Sequence, residues 1–259
     1  MRDRNRASDS LSRRANRQAW ALARAAALAL LAAACCAALV ARPAVAAVGV
    51  GEARSLAPHL LLIHGGAFLF DDPGFEARTE AAARAAGFVP HYLRYPLGDL
   101  RGAVRAARDE ARRLGSRFPG RLFAYGSSAG GTLAALLAGD GMVRAAVAKA
   151  PPSDLLGWDW PLRAYGPDYR LRIGADPVAL RRLSPLRRPA RRPLLIVHGD
   201  RDAVVPIAQS EAFAAKFRRV HLHAVPGGHH VERVRPEVLH RALGWLAALY
   251  ERAQGFRSS

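Results

Sequence analysis

The stretch YGSSAGG, Tyr125 to Gly131, decides how this chain is read. Apolar "RLFA" (121–124) runs into it and Ala- and Leu-rich "TLAALLAG" (132–139) leaves it. That context is a strand, a very tight turn and a helix. Only one frame places a serine centrally between flanking glycines: Gly126-Ser127-Ser128-Ala129-Gly130. Ser128 is therefore the candidate nucleophile and Ser127 a spacer. The flanking glycines are what such a turn requires, because strand and helix backbones nearly touch there. A five-residue pattern recurs by chance in a Gly- and Ala-rich chain. The reading thus depends on whether the rest of the sequence supplies a base, an orienting acid and donors for an oxyanion.

Working outward, short apolar runs alternate with longer amphipathic ones. "HLLLIHGG" (59–66), "GFVPHYLRY" (87–95), "RLFAYG" (121–126), "VRAAVAKA" (143–150), "PLLIVHG" (193–199) and "VHLHAVPG" (220–227) read as strands. Helices are expected over 99–118, 129–139, 207–219 and 236–253, and residues 67–86 receive no element. Strand–helix alternation with near-continuous apolar strands implies an α/β fold, a mostly parallel sheet covered by helices on both faces. The segment from Pro151 to Pro193 breaks this rhythm. It is long, carries Trp158, Trp160, Tyr165 and Tyr169, and leaves from a strand end. Residues 151–192 are expected to form a cap or lid over a pocket; the alternative is a surface excursion packed down by its aromatics.

Three further stretches bear on chemistry. In "LLIHGGAF" a Gly-rich turn ends the first strand, so Gly66 and Ala67 can present backbone N–H groups to a developing oxyanion. Ala129, directly after the candidate nucleophile, would be the third donor. In "LLIVHGDRDAVVP" Asp200 and Asp202 both follow an apolar strand, where a carboxylate can orient an imidazole or merely cap a turn. In "VPGGHHVERVRPE" His229 and His230 lie on a loop after the last strand.

The order Ser128, Asp202, His229 resembles that of the α/β-hydrolase superfamily, and the similarity runs from about residue 58 to 252. Within it, "HGGAF" and "YGSSAGG" are similar to the esterase/lipase branch whose oxyanion loop is a His-Gly-Gly motif. "HGDRDAVVP" resembles that branch's His-Gly-x-x-Asp-x-x-Val-Pro signature, which puts the acid on Asp202. Pro236-Glu237, seven residues past His229 as in many relatives, assigns the base to His229. Counting forward from Pro226 favours His230 instead. The resemblance implies an α/β-hydrolase fold of about six strands, with the usual opening antiparallel strands missing. It also implies a serine hydrolase that cleaves esters of small to medium acyl groups through an acyl-enzyme, with no cofactor. An imidazole base predicts activity rising near about pH 6–7. An exported amidase or exopeptidase, or a non-catalytic binding protein on the same fold, are the alternatives.

Residues 1–46 stand apart from the expected catalytic domain at 47–259. Arginines crowd positions 1–24, an uncharged apolar run spans Ala25–Ala41, and Ala44-Val45-Ala46 offers a small-residue cleavage site. The expectation is a signal peptide and an exported (periplasmic or secreted) protein. The alternative is an uncleaved membrane anchor, the only membrane contact foreseen. Cys35 and Cys36 both lie there, so a processed chain has no thiol chemistry. Net charge is +18 for the whole chain, and residues 47–259 keep 31 basic against 19 acidic side chains. Only Lys149 and Lys216 are lysines, and no basic-aromatic pattern accompanies the arginines, so nucleic acid is not an expected partner. His221 and His223 share one strand face but lack a helical His-Glu-x-x-His or clustered carboxylates, so no metal site is expected. A small-molecule ester is the expected partner.

Overall fold

The apolar runs form six strands in the computed structural model, which describes residues 56–230 and 236–255. They are β1 (His59–Ile63), β2 (Val89–Leu93), β3 (Leu122–Ser127), β4 (Ala146–Lys149), β5 (Leu194–Gly199) and β6 (Val220–Val225). The sheet order is β2-β1-β3-β4-β5-β6, and every pairing is parallel. The leader expected at residues 1–46 lies outside the described residues.

Helices link the strands: α1 (Phe75–Ala85), α2 (Leu100–Arg117), α3 (Ala129–Asp140), three short helices α4 (Trp160–Tyr165), α5 (Tyr169–Arg172) and α6 (Pro177–Arg182), then α7 (Ala208–Lys216) and α8 (Pro236–Gly255). Alternating side chains on each strand feed two separate apolar layers. Leu61, Ile63, Leu122, Ala124, Ala146, Ala148 and Ile196 face α2, α3 and α7. Leu60, Leu62, Phe123, Tyr125 and Val147 face α1 and α8. Burial on both faces explains why these strands read as continuous apolar runs. Among the described residues, no helix is long and apolar enough to cross a membrane.

Helix α1 has no counterpart in the sequence expectations. Its buried face is Phe75, Thr79, Ala82 and Ala83, a stripe of mostly small side chains that gives little periodic signal. By contrast, α2 is legible: Asp99 caps it by accepting from Gly102 N–H at 2.7 Å, and Ala103, Val104, Ala107, Ala111 and Leu114 line one face.

The chain steps outward from β1 to β2 and then returns to place β3 on the other side of β1. That reversal is a topological switch point at the carboxyl ends of β1 and β3, the place where open parallel sheets bind ligands. Ile63 is level with Gly126 in the ladder, so the turns after β1 and β3 begin side by side. Between β4 and β5, residues 151–193 hold α4, α5, α6 and a 3-10 turn (Pro185–Arg187).

Candidate active site

Ser128 sits at the turn between β3 and α3 with φ 53° and ψ −117°, a strained conformation for a residue with a Cβ. Neighbours hold it there: its N–H donates to Lys149 O at 2.8 Å, and its carbonyl accepts from Thr132 N–H at 3.0 Å. A Cβ on Gly126 would lie 2.0 Å from Gly130 O, and one on Gly130 would lie 2.2 Å from Ile63 O. The glycines of the motif are thus required by backbone contact rather than by turn angle. Among the described residues, the non-glycine residues with positive φ, namely Ala67, Phe68, Ser128 and Ala150, all fall at the carboxyl ends of β1, β3 and β4. Strain concentrated at one edge of the sheet marks that edge as functional.

Asp202 lies past the end of β5, and its carboxylate is buried. Oδ1 accepts from the N–H groups of Val204 (2.8 Å) and Val205 (2.9 Å). Oδ2 accepts from His230 Nδ1 at 2.7 Å and faces His198 Nε2 at 3.1 Å. Burial alone would raise this carboxyl. The hydrogen bonds from His198, His230 and Val205 N–H outweigh it and hold Asp202 well below the usual carboxylate range. His198 Nε2 also donates to Val205 O (2.9 Å), while its Nδ1 accepts from Ser210 Oγ (2.7 Å). His198 and Ser210 are fully enclosed. Neither was singled out from sequence, although His198 stands in the same "VHGD" run as the acid.

The imidazole that meets Asp202 belongs to His230, which corrects the sequence expectation of His229. His230 Nε2 is 3.0 Å from Ser128 Oγ, so one ring spans serine and carboxylate. His229 is exposed. The reason is backbone docking. A Cβ on Gly199 would lie 2.2 Å from Gly228 O and 2.7 Å from His229 O. Arg201 N–H donates to Gly228 O at 2.8 Å, and Asp200 Oδ1 accepts from Gly227 N–H at 2.7 Å. This contact fixes which of two successive side chains turns inward. Asp200 thereby has a different part from Asp202: it holds the loop rather than the ring.

Gly66, Ala67 and Ala129 bring their N–H groups to the same edge, and none of the three donates to another group among the described residues. The carbonyls beside them are all occupied. Tyr95 Oη lies 3.1 Å from His64 O and 2.9 Å from Gly65 O. Gly66 O accepts from Leu69 and Phe70 N–H, and Phe68 O accepts from Gly98 N–H at 2.8 Å. In a planar trans peptide, turning a carbonyl one way points the next N–H the other way. The loop therefore presents unpaired donors beside a serine, as an oxyanion site requires.

Two other sequence candidates are not drawn in. His221 and His223 lie on β6, with His221 edge-on to Trp245. No group of three or more His, Cys, Asp or Glu among the described residues is placed to hold a metal ion. Arg188, in the segment between β4 and β5, pairs with Asp140, as does Arg108.

A six-stranded parallel sheet, a strained serine at the β3 turn and a His–Asp pair at the ends of β5 and β6 define an α/β-hydrolase fold. Solved structures with this architecture include a truncated carbohydrate esterase from gut microbiota (19% identity, 76% of this chain and 85% of that one, TM-score 0.63). Another is an esterase/lipase from an uncultured bacterium (19% identity, 75% and 78%, TM-score 0.65). At such identities the likeness carries the fold alone. The model of the prolyl oligopeptidase family (peptidase S9) matches residues 103–252, more than half of the sequence, and the chain belongs to that family. Esterase LipC of Mycobacterium tuberculosis (strain ATCC 25618 / H37Rv) is 29% identical over 199 residues, covering 63% of this chain. This chain spans about half, 49%, of that relative's length.

Proposed function

We propose that this protein is a serine hydrolase that cleaves carboxylic esters of small to medium acyl groups through an acyl-enzyme. Ser128 Oγ attacks the acyl carbon as His230 Nε2 takes its proton. Asp202 keeps the imidazole in the tautomer with Nδ1–H and stabilises the imidazolium. The carbonyl oxygen becomes an oxyanion bound by the N–H groups of Gly66, Ala67 and Ala129. As the C–O bond breaks, His230 returns the proton to the leaving alcohol. Water then attacks the acyl-enzyme with the same histidine as base, releasing the acid and Ser128. The observation that carries this reading is the single ring of His230 between Ser128 Oγ (3.0 Å) and Asp202 Oδ2 (2.7 Å).

Likeness to an esterase supports ester rather than amide cleavage. Membership of a family described by an oligopeptidase favours a second reading, an amidase or exopeptidase using the same residues. Residues 151–192 act as the cap in either case, and residues 1–46 as the export leader or, uncleaved, the membrane anchor. The test is labelling with a fluorophosphonate, followed by peptide mapping, on the wild type, Ser128→Ala, His229→Ala and His230→Ala. Labelling should map to Ser128, disappear in Ser128→Ala and His230→Ala, and persist in His229→Ala. Parallel p-nitrophenyl ester and aminoacyl-anilide panels then separate esterase from amidase. A folded wild type that takes no label refutes both.

A further inference from the structure

The aromatic residues of the insert reach the machinery from two sides. Tyr169, on α5, donates its hydroxyl to Ala67 O at 3.0 Å. Trp158 donates its indole N–H to Val204 O at 2.8 Å. Val204 is the residue whose N–H holds Asp202 Oδ1. The two rings meet edge-on, centroids 6.3 Å apart at 84°, and both are buried, at 4% and 3% exposure. A continuous bridge therefore runs from the oxyanion loop through Tyr169 and Trp158 to the acid loop. Trp160 and Tyr165 pack around it, and Tyr165 meets Phe70 at 5.3 Å.

We propose that this bridge is a clamp that sets the catalytic geometry, with Tyr169 as a positioning residue for the oxyanion loop. The inference rests on the serine-hydrolase reading. Ala67 and Phe68 both hold left-handed backbone (φ 52° and 60°), a conformation that side-chain-bearing residues leave readily unless held. The Tyr169 hydroxyl pins the carbonyl between them. Releasing it lets the Ala67–Phe68 peptide rotate, so that Ala67 and Phe68 relax from their left-handed conformations and the turn that aims the preceding Ala67 N–H at the oxyanion shifts with them. An insert serving only as packing would need the rings but neither polar atom, and here both are used at the two loops that matter.

Tyr169→Phe keeps the packing and removes only the hydroxyl; Trp158→Phe keeps an aromatic ring and removes the indole N–H. Both are compared with wild type for kcat and KM on p-nitrophenyl butyrate. The Tyr169 variant is also titrated with an alkyl trifluoromethyl ketone. Ser128 Oγ adds to the ketone carbon while its proton passes to His230, leaving a hemiketal oxyanion in the proposed hole. Losing a direct oxyanion donor costs about 10²–10³ in kcat, and Tyr169 acts one step removed, so Tyr169→Phe should lower kcat about tenfold. KM should stay close to wild type, and ketone affinity should fall by the same factor as kcat. Trp158→Phe should lower kcat several-fold with a similar KM. Wild-type kcat in either folded variant, or a change confined to KM or melting temperature, overturns the clamp and leaves the hydrolase reading standing. A wild type that neither hydrolyses esters nor captures the ketone overturns that reading, and the clamp with it.

Discussion

Replacing Asp202 by Asn tests the geometry with the loss of one charge and almost no change of shape. Four donors converge on this carboxylate, two backbone N–H groups on Oδ1 and two ring nitrogens on Oδ2. The amide oxygen of Asn must stay with the Val204 and Val205 N–H groups, because backbone donors cannot turn away. The NH2 then faces His230 Nδ1, which can meet it only as a lone pair. The ring proton moves to Nε2, 3.0 Å from Ser128 Oγ, and the histidine can no longer accept the serine proton. In Ser-His-Asp enzymes this wrong tautomer costs on the order of 10⁴-fold in kcat, about 5.5 kcal/mol of barrier. His198 also faces an N–H where it had a carboxylate, and one buried mispairing costs about 1–3 kcal/mol of stability. Asp200→Asn is the matched control: among the described residues its side chain accepts from Gly227 N–H alone, which an amide oxygen also does. The assay is p-nitrophenyl butyrate turnover beside circular dichroism and a urea melt. A folded Asp202→Asn protein within about tenfold of wild-type kcat would refute the tautomer argument.

Gly130→Ala should destabilise by about 3 kcal/mol or more, because the new Cβ meets Ile63 O at 2.2 Å and His64 O at 2.3 Å on a central strand that cannot retreat. A drop in melting temperature of about 10 °C is expected, and an unchanged melt would sink the close-approach account. At the opposite end of the sheet, His59 Nδ1 meets His91 Nε2 at 2.8 Å, and His59 stacks on Phe118. Burial first, then His91, Arg121 and Arg117, lowers His59 from 6.5 to about 4. The unfolded chain therefore holds more protons between those values, so stability is complete above about pH 6.5 and falls as pH drops toward 4. Partial solvent access discounts the loss to about 1–2 kcal/mol, measured by urea unfolding against pH. His59→Leu should flatten that slope; parallel curves for the two proteins would show the pair is not its source.

The sequence alone determined the parts set by local chemistry. Parallel strands buried on both faces announce themselves as apolar runs. A Gly-x-Ser-x-Gly turn admits one serine frame, and Gly66, Ala67, Ala129 and Asp202 all reach the edge of the sheet expected of them. Helix α1 escaped because its buried stripe of Phe75, Thr79, Ala82 and Ala83 carries little hydrophobic contrast. The choice between His229 and His230 could not be read locally. Adjacent residues of one type on one loop differ only in which way the backbone turns them, and that is fixed by Gly199 against Gly228, far apart in the chain. Nor could the parts of His198, Ser210, Trp158 and Tyr169 be read. Each depends on hydrogen bonds to groups brought near by the fold. Local propensity and spacing fix which residues stand at the ends of the strands; only tertiary packing decides which polar atoms face each other across them.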